Sequence, residues 1–427
     1  MKTRFYPFLL VAVLFFTTLV PATLAQTDDP TFITITGTVK DARTKRPVSF
    51  ANVYVPNTHI GTVANIDGDF TLKIQKSLNA TSIGISHLGY RVASFSIEGR
   101  SSGQHEFLIE PHSITLQEVL VRPQNPRELI YRALEKRPEN YATTPYMLTG
   151  FYRETIRQRR DYISISEAII NMYQSPIDAM VSQDRVKIVQ GRKSANVKKA
   201  DTLLLKLQGG PQVSIMLDVV RNADLLISPQ TIDFYDYEFL DIVMIEDRTN
   251  YVIGFKPRLI LPFALFEGKL YLEAENLAIT MAEFSLDLSD RTKATQSFVL
   301  RKPARLRFTP TNTRYLVTYQ EIDGKYHLNY IRSELEFFAD WRRRLFRTGY
   351  TVMIEMAVTE RVTGDIQPFP LREAFNPRSI FADMVPVYFE DDFWGDYNYI
   401  EPDQTIESAI RKLNRVFERE QSMNQQE

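Results

Sequence analysis

From Ile33 onward the chain alternates apolar and polar positions in short runs: Ile33, Ile35 and Val39; Ala51, Val53 and Val55; Phe70, Leu72 and Ile74; Ile83 and Ile85; Ala93, Phe95 and Ile97; Phe107 and Ile109. A period of two, broken every few residues by Gly, Asn or Asp, predicts short strands with one buried face. About seven such strands between residues 31 and 112 predict a small β-sandwich. Asn65-Ile66-Asp67-Gly68-Asp69-Phe70 separates two of the runs. Its carboxylate spacing resembles a calcium loop, but Gly68 precedes the third candidate ligand and Ile74 stands where a bidentate glutamate would be needed. The stretch therefore reads as a tight hairpin turn with solvated acids, Asp67-Gly68 supplying the positive φ angles.

Past residue 125 the pattern changes. Asn125, Pro126 and Glu128 predict a capped helix start, Ile130, Ala133 and Leu134 give it an apolar face, and Pro138 is expected to stop it. Longer β runs follow: 146–157, 162–173, 239–246, 251–256, 268–273, 278–286, 314–321, 326–336 and 350–359. Asp247-Arg248, Glu275-Asn276 and Asp323-Gly324 fall at the turns. Successive hairpins of this length predict a curved antiparallel sheet. Residues 213–221 are expected to be helical, as are 405–417, where Ile406, Ile410, Leu413 and Phe417 share one side. The fold class is therefore mainly β: a seven-stranded sandwich at 31–112, a linker at 113–125, a larger α+β unit with a curved sheet at 126–400, and a C-terminal helix with a polar tail at 401–427.

Composition narrows the chemistry. Lys2 and Arg4, the uncharged stretch through Val20, and Thr23-Leu24-Ala25 have the layout of a secretory signal, so residues 1–25 read as a leader removed on export. The apolar part from Phe8 to Val20 is 13 residues, short of the ~20 that span a bilayer. The formal charge of -1 becomes -3 without Lys2 and Arg4, which gives no nucleic-acid signature. The absence of cysteine excludes disulfides, thiolate metal sites and a lipidated cysteine anchor.

The ordered set Gly37-Thr38-Val39, Pro47-Val48, Ala51-Asn52-Val53, Gly61-Thr62, Asp67-Gly68 with Phe70, and Gly89-Tyr90 resembles the carboxypeptidase regulatory-like domain. This is a transthyretin-like sandwich common in secreted Bacteroidetes proteins and at the N-terminus of their TonB-dependent receptors. The resemblance implies a non-catalytic module. None of His59, His87, His105, His112 and His327 is followed by glutamate three residues on, so the HxxE zinc pair of carboxypeptidases is missing. Leu116 to Val121 resembles the lead into a receptor plug, but too few strands follow for a receptor barrel. The hairpins at 268–288 and 315–337 resemble half-barrel carriers of the lipoprotein-localisation-factor type, which implies an apolar ligand. With the segment ending in Glu-Asp-Asp-Phe-Trp-Gly-Asp-Tyr-Asn-Tyr (390–399), the whole arrangement is similar to a family of Bacteroidetes envelope proteins.

Two clusters are candidate contacts. Glu390, Asp392, Trp394 and Tyr397, with Asp391 and Asp396, combine acids and aromatics as a saccharide site does, although sequence neighbours point in different directions and the plainer reading is that the aromatics dock the segment on the sheet while the acids stay in water. Arg342, Arg343 and Arg344, with Trp341 and Arg347, could meet anionic lipid headgroups, as could Arg192, Lys193, Lys198 and Lys199; solvated faces are the plainer reading. The Gly84-Ile85-Ser86-His87 stretch lacks the glycine two residues after serine that a nucleophile elbow requires, and Ser86 reads as a strand end. No catalytic residue, metal or cofactor is expected. The sequence thus predicts an exported, non-enzymatic envelope protein, at the periplasm or cell surface and only peripherally at a membrane, that binds a protein partner or an apolar ligand; a saccharide-binding or saccharide-acting protein is the alternative.

Overall fold

The computed structural model describes residues 31–112, 125–179, 181–195, 206–207, 210–301, 306–341, 347–388 and 395–424. Seven strands open the chain: β1 (Phe32–Asp41), β2 (Asn52–Tyr54), β3 (Gly61–Val63), β4 (Asp69–Gln75), β5 (Ser82–Ser86), β6 (Ala93–Ser96) and β7 (Gln104–Ile109). They form a three-stranded sheet, β4-β1-β7, and a four-stranded sheet, β3-β2-β5-β6. Between the two lie the predicted alternating residues, with Ile35, Phe70, Leu72, Ile85 and Phe107 fully buried. Phe107 meets Phe70 at 5.3 Å and Phe95 at 5.1 Å between ring centres. Gly37 is required under that ring, because a Cβ there would come within 2.3 Å of it.

Asn65 to Phe70 is a turn but not a hairpin. β3 and β4 belong to different sheets, and Asp69 pairs with Thr38 of β1. The turn therefore carries the chain from one layer to the other. Asn65 builds it: its side-chain oxygen accepts from the backbone N–H groups of Asp67 and Asp69, both at 2.9 Å, and Gly68 takes φ +79°. The acids are not simply solvated. Asp69 accepts from Thr38 at 2.5 Å, and Asp67 accepts from the backbone of Gln404 at 3.3 Å.

The rest of the chain builds a ten-stranded antiparallel sheet. In chain order the strands are β8 (Tyr146–Gln158), β9 (Asp161–Gln174), β10 (Arg185–Ala195), β12 (Tyr235–Ile245), β13 (Arg248–Pro257), β14 (Phe266–Glu273), β15 (Ile279–Leu286), β17 (Leu306–Ile322), β18 (Lys325–Trp341) and β19 (Thr348–Val362); β11 (Lys206–Leu207) and β16 (Val299–Arg301) pair separately. Their spatial order is β10-β9-β8-β19-β18-β17-β15-β14-β13-β12. The sequence runs mark nine of the ten; β10, polar at alternate positions and ending in Gly191-Arg192-Lys193-Ser194, is the one without a clear apolar signal. Bulges interrupt the ladders at Phe239/Asp241, Pro310/Asn312, Thr318/Tyr319 and Val358/Glu360, each adding local bend and twist.

One face of this sheet is covered by short helices: α1 (Pro126–Glu135), α2 (Arg137–Asn140), α3 (Pro211–Ile215), α4 (Arg291–Gln296) and α5 (Phe381–Met384). Asn125 caps α1 through the Glu128 N–H at 3.2 Å. Pro138 does not end the helical path but sits at the start of α2, where its missing N–H costs nothing. The helix expected over 213–221 is only α3. Asp218 breaks it, accepting from the N–H groups of Val220 at 3.1 Å and Arg221 at 3.2 Å and from the Tyr319 hydroxyl at 2.6 Å. Leu148, Tyr152, Ile170, Val317, Ile331 and Phe337 pack with Ile130, Val219 and Phe381 into one continuous core on this helix face.

The sandwich and α6 (Gln404–Asn424) occupy the opposite face. α6 begins where expected, capped by Asp403, whose carboxylate accepts from the Ile406 N–H at 2.8 Å. It buries Ile406 and Leu413 against Ile165 and Met353. With both faces covered, the middle strands lose the simple alternation of a half-exposed strand, and Phe151, Tyr152 and Arg153 are all buried in succession.

Candidate functional site

One gathering of buried polar chemistry lies on the sandwich face. Arg153 projects from β8 and is 1% exposed. Its Nε donates to Glu167 at 2.7 Å, and one terminal nitrogen donates to the Ile400 carbonyl at 2.8 Å. Arg192 takes the second Glu167 oxygen at 2.6 Å. Glu355 on β19 accepts from Tyr330 at 3.0 Å and Arg332 at 3.1 Å. Burial by itself would raise the Glu167 carboxyl, but Arg153 and Arg192 outweigh it and hold the group below its usual range. Every charge here has an opposite partner, which is the condition for burying it. The sandwich seals the cluster: Phe50 lies against Tyr330 and under the Arg332 guanidinium at 4.5 Å, and Val63 packs on Phe151, Ile169 and Ala357.

A strap from the C-terminal side closes the seam. Tyr399 bridges to Thr71 of β4, Thr62 donates to the Tyr399 carbonyl at 2.8 Å, and the Asn398 amide both accepts from the Lys73 N–H at 2.6 Å and donates to its carbonyl at 3.0 Å. At the other side of the sandwich, Gly89 donates to Met244 at 3.2 Å and Ser86 to Glu246 at 2.9 Å, so the β12–β13 hairpin is held as well. These contacts span the sandwich from two directions.

Between those two grips, His59 of the sandwich and His327 of β18 meet Arg361 of β19. Arg361 donates to the Nε2 atoms of both rings, His59 at 3.2 Å and His327 closer. A guanidinium only donates, so both rings accept at Nε2 and carry their proton on Nδ1. Among the described residues no carboxylate pairs with Arg361; Asp323 lies 3.7 Å from His59. Burial first, and then Arg361, push the His327 imidazole down to about 3, and the same two causes lower His59. The adjoining cavity of about 20 Å³ has room for a single water.

The part of the sandwich face that the sandwich leaves uncovered is an open groove of about 380 Å³ across β14, β15, β17 and β18. Glu267, Lys269, Glu283, Arg314, Arg332 and Glu334 line it with both signs of charge. Lys269 stands opposite Glu283 and Arg314 opposite Glu334 in the ladders, the latter pair 3.7 Å apart. Tyr271 donates to Glu283 at 2.8 Å. Such a surface offers fixed donors and acceptors to a polar ligand.

Of the residues singled out from sequence, Arg192 joins the buried ion cluster through Glu167 and does not present a free cation to a headgroup. Glu390, Asp391, Asp392 and Trp394 fall outside the described residues, as do Arg342, Arg343, Arg344, Lys198, Lys199 and the leader 1–25. Tyr397 is half-buried against the Phe151 and Tyr330 cluster, and Asp396 is exposed. Ser86 ends β5, and Glu246 engages its hydroxyl. The other three histidines lie apart: His105 meets the Ser102 carbonyl, His87 the Leu88 carbonyl, and His112 lies 3.4 Å from Asp247. Among the described residues no group of three His, Asp or Glu side chains could hold a metal ion. Sequence reading missed Arg153, Glu167, Glu355 and Arg361, because a charge inside an alternating run reads as the solvent face of its strand.

Residues 35–121 match the CarboxypepD_reg-like domain family. The first seven strands are therefore such a domain, a class of module without catalytic function of its own. No curated protein matches the chain. Among solved structures, an outer membrane lipoprotein-sorting protein domain from Vibrio parahaemolyticus aligns at 11% identity and TM-score 0.26, covering 57% of this chain and 96% of its own. A DUF1329 family protein from Desulfovibrio piger aligns at 11% identity and TM-score 0.24, covering 55% and 92%. Scores of this size do not establish a shared fold.

Proposed function

We propose that the protein is an exported, non-catalytic envelope binding protein whose ligand is a polar segment of a partner protein, received in the groove across β14, β15, β17 and β18. One observation carries this reading: the helix face of the great sheet is filled by its own side chains, whereas the sandwich face keeps an open, charge-lined groove. The signal-like start of the chain and the regulatory-like domain support an envelope location. In this reading the sandwich is a rigid wall beside the groove, since Phe50 packs on the Arg332 that lines it.

The test is site-specific crosslinking in cells from a photoreactive residue at Ser285, which lines the groove, with and without the double reversal Arg314→Glu and Lys269→Glu. A discrete adduct that the reversal abolishes is expected. An adduct pattern indifferent to the reversal removes the groove from consideration. Mass spectrometry of the purified protein reads the rival directly, because a stoichiometric co-eluting lipid would point instead to an apolar ligand.

A further inference from the structure

The loop between β13 and β14, Arg258-Leu259-Ile260-Leu261-Pro262-Phe263-Ala264-Leu265, is the most conspicuous apolar exposure in the described chain. Ile260 is 94% exposed, Phe263 53% and Leu259 41%. Connecting loops are ordinarily polar, and three large apolar side chains held in water at one tip require an explanation. The tip does not dangle. At one foot the Arg258 N–H donates to the Phe234 carbonyl at 2.7 Å, and at the other the Asp287 backbone N–H donates to the Leu265 carbonyl at 2.8 Å. Leu261, Ala264 and Leu265 turn inward onto the core, so their anchoring is what presents the other three outward.

Charge follows the same polarity. By strand order, the connections at this end of the great sheet include Arg159, Arg160, Arg258, Arg291, Lys293 and Arg347, against Asp224, Asp233, Asp287 and Asp290, with Asp233 engaged by Arg127. Those at the opposite end contain Asp178, Asp184, Glu246, Asp247, Glu275 and Asp323, with Arg221 paired to Asp184 at 2.7 Å and Arg248 and Lys325 opening the strands that follow two of the turns. The sandwich is attached at that acidic end, through Met244, Glu246 and Asp247 of the β12–β13 hairpin. β13 runs ten residues between the two ends, roughly 30 Å at the usual strand rise.

We propose that this end is a docking surface for an anionic lipid bilayer, with Leu259, Ile260 and Phe263 entering the interface and Arg258, with the other basic residues of the same end, meeting headgroup phosphates. Apolar insertion alone is weak for three side chains, and a few arginines alone are equally weak; the two together are the combination that holds a peripheral protein at a membrane. The acidic end and the sandwich then face away from the bilayer. The groove is a separate surface, so either idea can fail without the other.

Because the chain has no cysteine, single labels are clean. The purified protein carrying Ile260→Cys, labelled with an environment-sensitive fluorophore, is mixed with vesicles of phosphatidylcholine and phosphatidylglycerol. A several-fold rise in emission with a blue shift is expected, while Val181→Cys, 74% exposed at the acidic end, stays unchanged. Ile260→Asp, which alters no packed contact, should lower vesicle affinity about tenfold or more with the melting temperature intact, and Arg258→Glu should weaken it further. No change at residue 260, or equal changes at 260 and 181, overturns the proposal. Equal binding to pure phosphatidylcholine overturns its electrostatic half.

Discussion

Acidification should strain the seam between sandwich and sheet at His327. In the folded protein this ring is 4% exposed, accepts from Arg361 and lies near His59 and Lys325. Protonation would turn an acceptor into a donor facing a guanidinium. Its folded value of about 3, against 6.5 for an unperturbed histidine, is a depressed one. The unfolded chain therefore binds more protons between those values, and the contribution of His327 to stability falls as pH drops through that window. From pH 7.5 to 5 the linkage amounts to about 2 kcal/mol, and to about 3 kcal/mol by pH 4. Glu154 and Glu246, both raised to about 7 by burial, act with the opposite sign, so total stability is an ambiguous reading. The informative quantity is the difference between the wild type and His327→Gln, which keeps an acceptor for Arg361 but does not titrate. Urea unfolding of both at pH 7.5 and pH 5 should show the wild type losing about 2 kcal/mol relative to the variant. A difference near zero, or an NMR titration placing the ring's midpoint above pH 5.5, would refute the reasoning.

Other perturbations address the remaining contacts. Glu167→Gln leaves Arg153 buried beside a neutral partner and should cost about 3–5 kcal/mol in chemical denaturation. Gly68→Ala forces a side chain into φ +79° with its Cβ 2.6 Å from the Val39 carbonyl; a loss of about 2–3 kcal/mol is expected by thermal unfolding. Asn398→Ala removes both links to Lys73 and should raise amide exchange along β4 and the strap while leaving the β12–β15 ladder protected, which hydrogen-exchange mass spectrometry reads residue by residue.

The two layers of this protein were legible to different degrees. Period-two runs in residues 33–109 sufficed to place a seven-stranded sandwich, because each strand there has one covered face and its pattern is purely local. Hairpin signals such as Asp323-Gly324 placed the long strands β17 and β18 for the same reason, and Asn125-Pro126 placed the start of α1. The expected hairpin at Asp67-Gly68 failed because turn chemistry states how sharply a chain reverses, not which strand it will pair with next. The helix expected over 213–221 failed because Asp218 finds Tyr319, about a hundred residues later, and uses its other bonds to fold the backbone into a turn. The groove was invisible in sequence, since its charges come from four strands and alternate with core positions like any solvent face.

What the amino-acid order determined by itself was therefore nine of the ten strands of the great sheet, the start of α1, the absence of thiol chemistry, and the membership of the first seven strands in a known module. Tertiary structure alone decided that the sandwich lies across the great sheet, that Arg153 and Glu167 are interior and not surface charges, and that Tyr399 joins Thr71. The physical reason is range: periodicity and capping act over a few residues, whereas the buried ion cluster and the strap exist only when segments as far apart as Thr62 and Tyr399 exclude water together.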